Sequence, residues 1–334
     1  MDTCKILLTR SMVAGDITYI KEGLDRTVAG KYEFIVPPAF DEETLLQYAE
    51  NVDVLMGPFA TPALLEKAGK LKLIQVPWTG MDTFDFQSVA NSTVPVCNTH
   101  SNADSVAEIG MALLLDVLKK LSYHDRKMRA ANWNRDQQPL NLKSRMLSRQ
   151  IVCMLGCGNI GSRVASLVSA FGAKVIGVVD ILKPYEMLEQ AYLPEEISAA
   201  LAQADVVINT LPLTDATKGL VNSNLVAQMK DGVVLLNLSR AGILDEQAVY
   251  EGLISGKISA FASDVWWNAP KRGESASYPS RNYPFWELDN VVMSPHRAGF
   301  VEDCLPHLDG AIDNVSRLIC GQPLQGVVDV KKQY

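Results

Sequence analysis

The chain has 334 residues, of which 48% are hydrophobic and 21% are charged, enough for about two domains with sizeable cores. The formal net charge of -7 argues against a nucleic-acid partner. No apolar stretch reaches the roughly 18 residues of a membrane span, and the mixed, charged N-terminus lacks the apolar region of a secretory signal. We therefore expect a cytoplasmic protein with no membrane and no nucleic-acid contact.

The first hundred residues alternate short apolar runs with segments rich in leucine and alanine. Strands are predicted at residues 5–8, 52–56 and 71–76, with helical segments between them. This alternation predicts a smaller α/β domain. A helix predicted from about residue 301 to 320 is long enough to return to it.

An apolar helix is predicted over residues 109–121, after a polar junction that begins at Asn98. Ser105 and Glu108 have the spacing of a capping box, in which the two side chains bond the backbone at a helix start. We expect that structural role for Glu108 rather than catalysis. His100 could add a polar contact to a site, but a structural role is favoured.

A glycine-rich turn, Gly156-Cys157-Gly158-Asn159-Ile160-Gly161, lies almost at the midpoint of the chain. The apolar run 151–155 before it is typical of a strand buried on both faces, and apolar residues recur after it at helical spacing. Gly172 is placed to stop that helix. Strand, turn and helix together favour a dinucleotide site over a simple loop.

The glycines of this turn each have a chemical reason. Gly156 permits the tight turn, Gly158 lets the backbone approach a pyrophosphate, and Gly161 lets the helix pack closely, so that the helix N-terminus faces the anion. A second predicted strand, 174–179, is followed by Asp180, whose carboxylate can hold both ribose hydroxyls. The same carboxylate would repel a 2′-phosphate, so NAD is favoured over NADP, although Lys183 leaves NADP open.

None of the six cysteines forms a Cys-x-x-Cys pair suited to metal or redox work, and we expect no metal site. Most lie in apolar segments and are interpreted as small buried residues. Cys157 lies in the glycine turn, where a helix N-terminus would lower the pKa of its thiol. We nevertheless expect no reactive role for it.

Further strands are predicted at 205–211, 232–238, 258–265 and 291–294, with helical stretches between most of them. With the two earlier ones they make six strands alternating with helices, the pattern of a doubly wound parallel sheet. In such sheets ligands bind outside the carboxyl ends of the strands.

Two charged or titratable side chains follow strands of this sheet. Arg240 offers a planar fork of donors suited to a carboxylate and to polarising a carbonyl, and His296 can move a proton near neutral pH. Either residue alone is more often a surface or structural group. Because both follow strands of one nucleotide-binding sheet, we interpret them jointly as a site for hydride reduction of a 2-oxo acid.

The ordered motifs resemble the D-isomer-specific 2-hydroxyacid dehydrogenase family, which includes glycerate, lactate, glyoxylate and phosphoglycerate enzymes and also formate and phosphite dehydrogenases. The resemblance covers nearly the whole chain. The matching motifs are Thr79-Gly80-Met81-Asp82, Asn98-Thr99, Ser105-Val106-Ala107-Glu108, the glycine turn, Leu211-Pro212-Leu213-Thr214, Asn237-Leu238-Ser239-Arg240, Asp264-Val265 and Ser294-Pro295-His296.

The resemblance implies a discontinuous fold. A Rossmann-type doubly wound domain, residues 101–296, is expected to be inserted into a smaller flavodoxin-like α/β substrate domain, residues 1–100 and 297–334. It also implies a homodimer, formed through the apolar helix 106–121 and the segment around Trp133.

The resemblance also assigns roles to individual residues. Backbone N–H groups at Thr79, Gly80 and Met81 would receive the substrate carboxylate, while Arg240 polarises the ketone and His296 is the acid/base. The residues expected to bind the NAD cofactor are Val106, Gly156, Gly158, Asn159, Ile160, Gly161, Asp180, Leu211, Pro212, Thr217, Leu238, Ser239 and Asp264.

One position departs from the family pattern. A glutamate usually pairs with the histidine and raises its pKa, and here that position is Ala269. We therefore expect His296 to titrate near the reference value of about 6.5, so that ketone reduction weakens as pH rises. Glu274, Glu302 or Asp303 could replace the missing acid. The loss also supports an alternative function, an NAD-binding regulatory or corepressor-like protein with little or no turnover.

The substrate itself stays open within 2-hydroxy and 2-oxo acids. Ala269 does not match the amide of the formate enzymes, and Thr79 replaces the lysine of phosphite dehydrogenase. An aromatic group between Trp266 and Trp286, with Lys271, Arg272 and Arg281 among it, is interpreted as core or subunit packing rather than a ligand wall. If some of it lined the site, the acid would carry a bulky or apolar side group.

Overall fold

The computed structural model describes residues 3–133, 143–270 and 277–334. The chain forms two compact units, of which the first combines Met1–Asn102 with Gly299–Tyr334 and the second is Ala103–Ala298. Within the described ranges, no helix has both the length and the apolar character that crossing a bilayer requires.

The first unit is built on a five-stranded parallel sheet with the order β2-β1-β3-β4-β5. This is the flavodoxin-like order, so the predicted fold of the smaller domain is confirmed. Its strands are β1 (Cys4–Leu8), β2 (Tyr32–Ile35), β3 (Val54–Met56), β4 (Leu73–Gln75) and β5 (Val96–Cys97). Its helices are α1 (Ala14–Val28), α2 (Glu42–Tyr48), α3 (Pro62–Lys67) and, at the end of the chain, α10 (Pro306–Ile319).

The predicted C-terminal helix packs against the first helix of this unit. A β-carbon on Gly23 of α1 would lie 2.6 Å from Cδ1 of Ile312 on α10, so the glycine allows the two helices to approach closely. Ile312 belongs to the apolar cluster that also contains buried residues of β1 and β3. The last helix of the chain therefore completes the core of the unit formed by the first hundred residues.

The second unit is built on a seven-stranded parallel sheet with the order β12-β11-β10-β9-β6-β7-β8. Its strands are β6 (Ile151–Leu155), β7 (Lys174–Val178), β8 (Gln190–Tyr192), β9 (Val206–Asn209), β10 (Val233–Asn237), β11 (Ile258–Ser263) and β12 (Val291–Met293). Its helices are α4 (Ala103–Lys119), α5 (Leu121–Arg129), α6 (Asn159–Ala170), α7 (Ile197–Leu201), α8 (Ser223–Gln228) and α9 (Glu246–Ser255).

The strand order of the second unit reverses direction at β6, as in a Rossmann fold, which confirms the predicted doubly wound sheet. Every residue of β9 and β10 is buried, because helices cover both faces of the sheet. One apolar cluster includes residues of α7, α8 and α9, and the other includes residues of α4 and α6. The reversal places a crevice at the carboxyl ends of β6 and β9.

The prediction of six strands in this unit missed β8, the three-residue edge strand Gln190–Tyr192. The edge position explains the miss, because a strand paired on one side needs no continuous apolar run. The edge strand β2 and the two-residue β5 of the first unit were missed for similar reasons.

The predicted capping box at Ser105 and Glu108 is wrong. Helix α4 begins at Ala103, so Ser105 lies within its first turn rather than before it. The Ser105 hydroxyl donates a hydrogen bond to the backbone carbonyl of Ala298, and the Glu108 side chain is exposed. The spacing was right for a cap, but the helix starts earlier than the apolar periodicity indicates.

Most apolar residues of α4 pack inside the second unit. Leu113, Leu114, Val117 and Leu118 are buried in the cluster on one face of the sheet, so they do not form a spare surface for a partner. Among the described residues that follow this helix, exposed apolar side chains include Leu121, Met128, Trp133 and Met146.

Candidate active site

The glycine turn joins β6 to α6 with the geometry that its residue types predict. Gly156 has φ of +88°, a left-handed conformation that favours glycine, and its N–H donates to the carbonyl of Val178 at 3.0 Å. A β-carbon on Gly161 would collide with the carbonyl oxygen of Gly156 and lie 2.6 Å from Oγ1 of Thr210. Helix α6 can therefore lie this close to β6 only with glycine at position 161.

Gly158 differs from its neighbours, because a β-carbon there would meet no protein atom within 4 Å. It is exposed and occupies the N-cap position of α6, where it has no side chain to accept hydrogen bonds from the first-turn N–H groups. These N–H groups and the open backbone fit an anionic phosphate. The turn therefore fits a dinucleotide, with Asn159 and Ile160 in the first turn of the helix.

The helix N-terminus does not activate Cys157. Burial raises the pKa of the Cys157 thiol to about 12, opposite to the lowering that its sequence position suggested. The side chain packs against the apolar cluster that includes α4 and α6, and its sulfur lies 3.0 Å from where a β-carbon of Gly177 would be. We still expect no reactive role for Cys157, because burial raises the pKa of its thiol instead of the helix N-terminus lowering it.

Asp180 lies two residues beyond the end of β7 and its side chain is exposed. Ile181 and Leu182 beside it are also exposed, at 57% and 56%. The Lys183 ammonium lies over the Tyr185 ring, 5.3 Å from its centroid. This segment therefore presents a carboxylate, two apolar side chains and a lysine held on an aromatic ring.

Two buried asparagines connect the ends of β9 and β10, and sequence reasoning missed their role. The Asn209 amide donates to Oδ1 of Asn237 at 3.0 Å, and the Asn237 amide donates to the carbonyl of Arg240 at 3.1 Å. Both side chains are fully buried. The sequence feature that could have identified them is a polar residue at the end of an otherwise apolar strand. These contacts fix the backbone of the turn that carries Arg240.

The Arg240 side chain is half-buried and its Nη1 donates to the carbonyl of Ser239 at 2.9 Å. The Ser239 hydroxyl donates to the carbonyl of Leu211, which follows β9. Thr217 Oγ1 donates to the carbonyl of Pro212 at 2.6 Å, so this hydroxyl closes the loop after β9. The structure thus joins the segments of Arg240 and Leu211 at the carboxyl ends of neighbouring strands.

Val106 and Leu238, two other expected cofactor residues, are each 6% exposed. Leu238 packs against α4, with its Cδ1 2.5 Å from where a β-carbon of Gly110 would be. Leu238 belongs to the apolar cluster that includes residues of α4 and α6.

Asp264 is 3% exposed and follows β11. Its carboxylate accepts hydrogen bonds from the hydroxyl of Ser294 and from the backbone N–H groups of Arg297 and Ala298, the latter two at 3.1 Å. His296 lies within this turn, is exposed, and has φ of +53°. A left-handed histidine is uncommon and persists where neighbouring contacts determine the backbone, often at functional sites.

The position of the usual glutamate, Ala269, is exposed in the loop after β11. Of the three acids expected as replacements, Glu274 lies outside the described residues. Glu302 and Asp303 belong to the first unit, where both side chains are exposed.

The segment expected to bind the substrate carboxylate lies in the first unit, after β4. The Asn98 amide donates to the carbonyl of Thr79 at 2.7 Å, and the Thr79 hydroxyl donates to Oδ1 of Asn102 at 2.8 Å. Met81 is buried in an apolar cluster. The backbone at Gly80 is thus flanked by anchored residues. Burial lowers the pKa of His100, which favours its neutral form.

The aromatic residues after β11 mostly pack within the second unit. Trp266, Trp267 and Phe285 contact Phe261, and Trp267 stacks on Phe285 with ring centroids 5.2 Å apart. These four rings adjoin or belong to the core cluster, as the packing interpretation predicted. Lys271 and Arg272 lie outside the described residues.

Comparison with known proteins identifies the fold and the family. Residues 111–298 match the family described as D-isomer specific 2-hydroxyacid dehydrogenase, NAD binding domain. A hydroxypyruvate reductase of Thermotoga maritima is 32% identical over 260 residues, which cover 77% of this chain and 81% of that protein.

Two solved structures share the fold. A D-isomer specific 2-hydroxyacid dehydrogenase of Xanthobacter autotrophicus, in complex with NADPH and MES, has a TM-score of 0.80 and 22% identity, with all of both chains covered. One from Lactobacillus delbrueckii ssp. bulgaricus, in its NAD complexed form, has a TM-score of 0.78 and 21% identity over 98% of this chain and 100% of that chain. The sequence match over more than half of the chain shows that this protein belongs to the D-isomer specific 2-hydroxyacid dehydrogenase family of oxidoreductases.

Proposed function

We propose that this protein is an NAD-dependent 2-oxoacid reductase, interconverting a D-2-hydroxy acid and its 2-oxo acid. One observation carries the proposal. The turns that hold Arg240 and His296 are both hydrogen-bonded into the carboxyl end of the sheet that carries the glycine turn. These bonds support the proposal because they hold the backbone of both residues at the edge of the sheet where ligands of such folds bind.

The proposed roles follow from the chemistry of the two side chains. Arg240 binds the substrate and polarises its ketone, because a guanidinium stabilises the negative charge that develops on the carbonyl oxygen. His296 delivers a proton to that oxygen during reduction and removes it during oxidation. The backbone N–H groups of Gly80 and Met81 bind the substrate carboxylate. When bound, the reduced nicotinamide supplies the hydride.

The proposed cofactor is NAD(H). The exposed Asp180 carboxylate supports this, since it can accept hydrogen bonds from both ribose hydroxyls and repels a 2′-phosphate. Structural neighbours named with NADPH and with NAD make the cofactor a question for direct measurement.

The proposal is tested by following loss of NADH absorbance with a panel of 2-oxo acids that includes hydroxypyruvate, glyoxylate and pyruvate. NADPH is run in parallel. We expect turnover with at least one acid and a higher kcat/KM with NADH than with NADPH. Tight NADH binding without turnover of any acid would instead support a regulatory protein, and preference for NADPH would overturn the cofactor assignment.

Ala269→Glu is expected to extend reduction to higher pH. The wild type has no carboxylate at position 269, so its rate of reduction should fall at a lower pH than that of the variant. A carboxylate beside His296 favours the protonated imidazole that reduction needs, so the inflection should move up by about one pH unit. The measurement is kcat/KM for reduction between pH 5 and about 9.

Ala269→Gln is the matched control, because it adds nearly the same side chain without charge. It should leave the inflection where the wild type has it. Identical profiles for the two variants would show that position 269 does not act on His296.

We also propose a homodimer. The exposed apolar side chains of Leu121, Met128, Trp133 and Met146 support a contact surface beyond α4 rather than along its buried face. Sedimentation equilibrium measures the state directly, and a mass of one chain at micromolar concentration would refute the dimer.

A further inference from the structure

The turn that carries His296 is anchored on both of its flanks. Before the histidine, the N–H of Ser294 donates to the carbonyl of Ser263 at 2.9 Å. After it, the carbonyl of Ala298 accepts from the Ser105 hydroxyl of α4. The Asp264 carboxylate bonds to residues on both flanks. His296 is therefore the left-handed residue at the centre of a turn whose two ends are each fixed by hydrogen bonds.

One further anchor comes from a side chain that no expected role explains. The indole N–H of Trp266 donates to the carbonyl of Ser294 at 2.9 Å, two residues before His296. The ring of Trp266 is itself held by edge-on contacts with Phe261 and Phe285, at centroid distances of 5.7 and 6.1 Å. The donor is thus rigid and fixes the position of the Ser294 peptide.

The adjacent Trp267 provides a comparison within the same molecule. It is also half-buried, contacts the same two phenylalanines and donates its indole N–H to a backbone carbonyl, that of Leu244, at 3.0 Å. Leu244 ends the short turn Ala241–Ile243 that follows Arg240, and it has no part in the His296 turn. The two tryptophans therefore share surroundings and differ in what their hydrogen bond holds.

We propose that Trp266 is a positioning residue for His296, acting through its hydrogen bond to the Ser294 carbonyl. The bond keeps the flank of the turn in register with β11, so that the left-handed backbone at His296 presents the imidazole in one orientation. This inference rests on the proposed catalytic role of His296.

The test compares Trp266→Phe with Trp267→Phe. Each variant keeps an aromatic ring in the cluster and loses one neutral hydrogen bond, which is worth roughly 3- to 10-fold in an equilibrium constant. We expect Trp266→Phe to lower kcat for reduction by about that factor, with the dissociation constant of NADH and the KM for the oxo acid changed less than about twofold. Trp267→Phe should lose similar thermal stability, but it should leave the His296 ring signals unchanged, because its hydrogen bond holds Leu244 and not the His296 turn.

An NMR measurement separates this inference from the proposed function. The chain has four histidines, so the ring signals of His296 can be assigned by their loss in His296→Gln. At fixed pH, the His296 signals should broaden or split in Trp266→Phe and stay unchanged in Trp267→Phe. Unchanged His296 signals in Trp266→Phe, or equal broadening of these signals in both variants, would overturn the positioning role. If the wild type reduced no 2-oxo acid, the proposed function would fail while the NMR comparison still decided whether Trp266 orders His296.

Discussion

Replacement of His296 by glutamine is expected to lower kcat for reduction of a 2-oxo acid by about 10²- to 10⁴-fold, the usual contribution of a positioned acid or base. Glutamine has a similar reach and can donate a hydrogen bond, but it cannot release a proton near neutral pH. The side chain is exposed, so the substitution removes no core packing. The dissociation constant of NADH should therefore change little, and kcat should carry the loss.

His124→Gln is the matched control. His124 lies on α5 of the same unit, where its ring contacts Tyr123 at 5.1 Å between centroids, and no part of the proposed chemistry uses it. This variant should keep kcat within about twofold of the wild type. Retention of more than about a tenth of wild-type kcat by His296→Gln would exclude His296 as the acid/base.

The central strands could be predicted because burial on both faces leaves a continuous apolar run. The predicted strand 151–155 coincides with β6, and Gly172 follows the end of α6 in a left-handed conformation as expected. Edge strands such as β8 do not have to be apolar along their whole length, so the sequence shows no comparable pattern there. The elements that could be predicted are therefore those in which burial in the tertiary fold and the local pattern require the same residue types.

The supports of the candidate site were much harder to predict. The bond between Asn209 and Asn237 joins residues 28 positions apart, and the bond from Trp266 to Ser294 spans the same separation. Such pairs depend on which strands are neighbours, which a single sequence does not state. Ser105 shows the reverse error, because a local spacing suggested a cap while its hydroxyl bonds to Ala298, 193 residues away.

Alanine substitutions at two glycines of the turn should have opposite effects on stability and binding. A methyl group on Gly161 would overlap the carbonyl oxygen of Gly156, which is backbone and cannot move aside without distorting the turn. Gly161→Ala is therefore expected to destabilise the protein by about 3 kcal/mol, or roughly 6 to 12 °C in Tm. Calorimetry without cofactor measures this loss.

Gly158→Ala should destabilise the free protein by only about 1 kcal/mol or less, the cost of replacing glycine by alanine at an N-cap. Its φ of -72° suits alanine, the added methyl meets no protein atom within 4 Å, and alanine restricts the unfolded chain. The same methyl would occupy the approach of a pyrophosphate to the backbone, so we expect the dissociation constant of NADH to rise at least about tenfold, the equivalent of 1.4 kcal/mol.

The two glycine variants together distinguish a phosphate-binding turn from a turn that is glycine-rich only for packing. A packing role alone predicts that stability falls at position 161 and that NADH affinity does not change at position 158. A phosphate cradle predicts weaker NADH binding by Gly158→Ala with the fold intact, because only there does the backbone face open space at the N-terminus of α6. Unchanged NADH affinity in a stable Gly158→Ala protein would therefore remove this turn from the cofactor site, whatever the dehydrogenase assay shows.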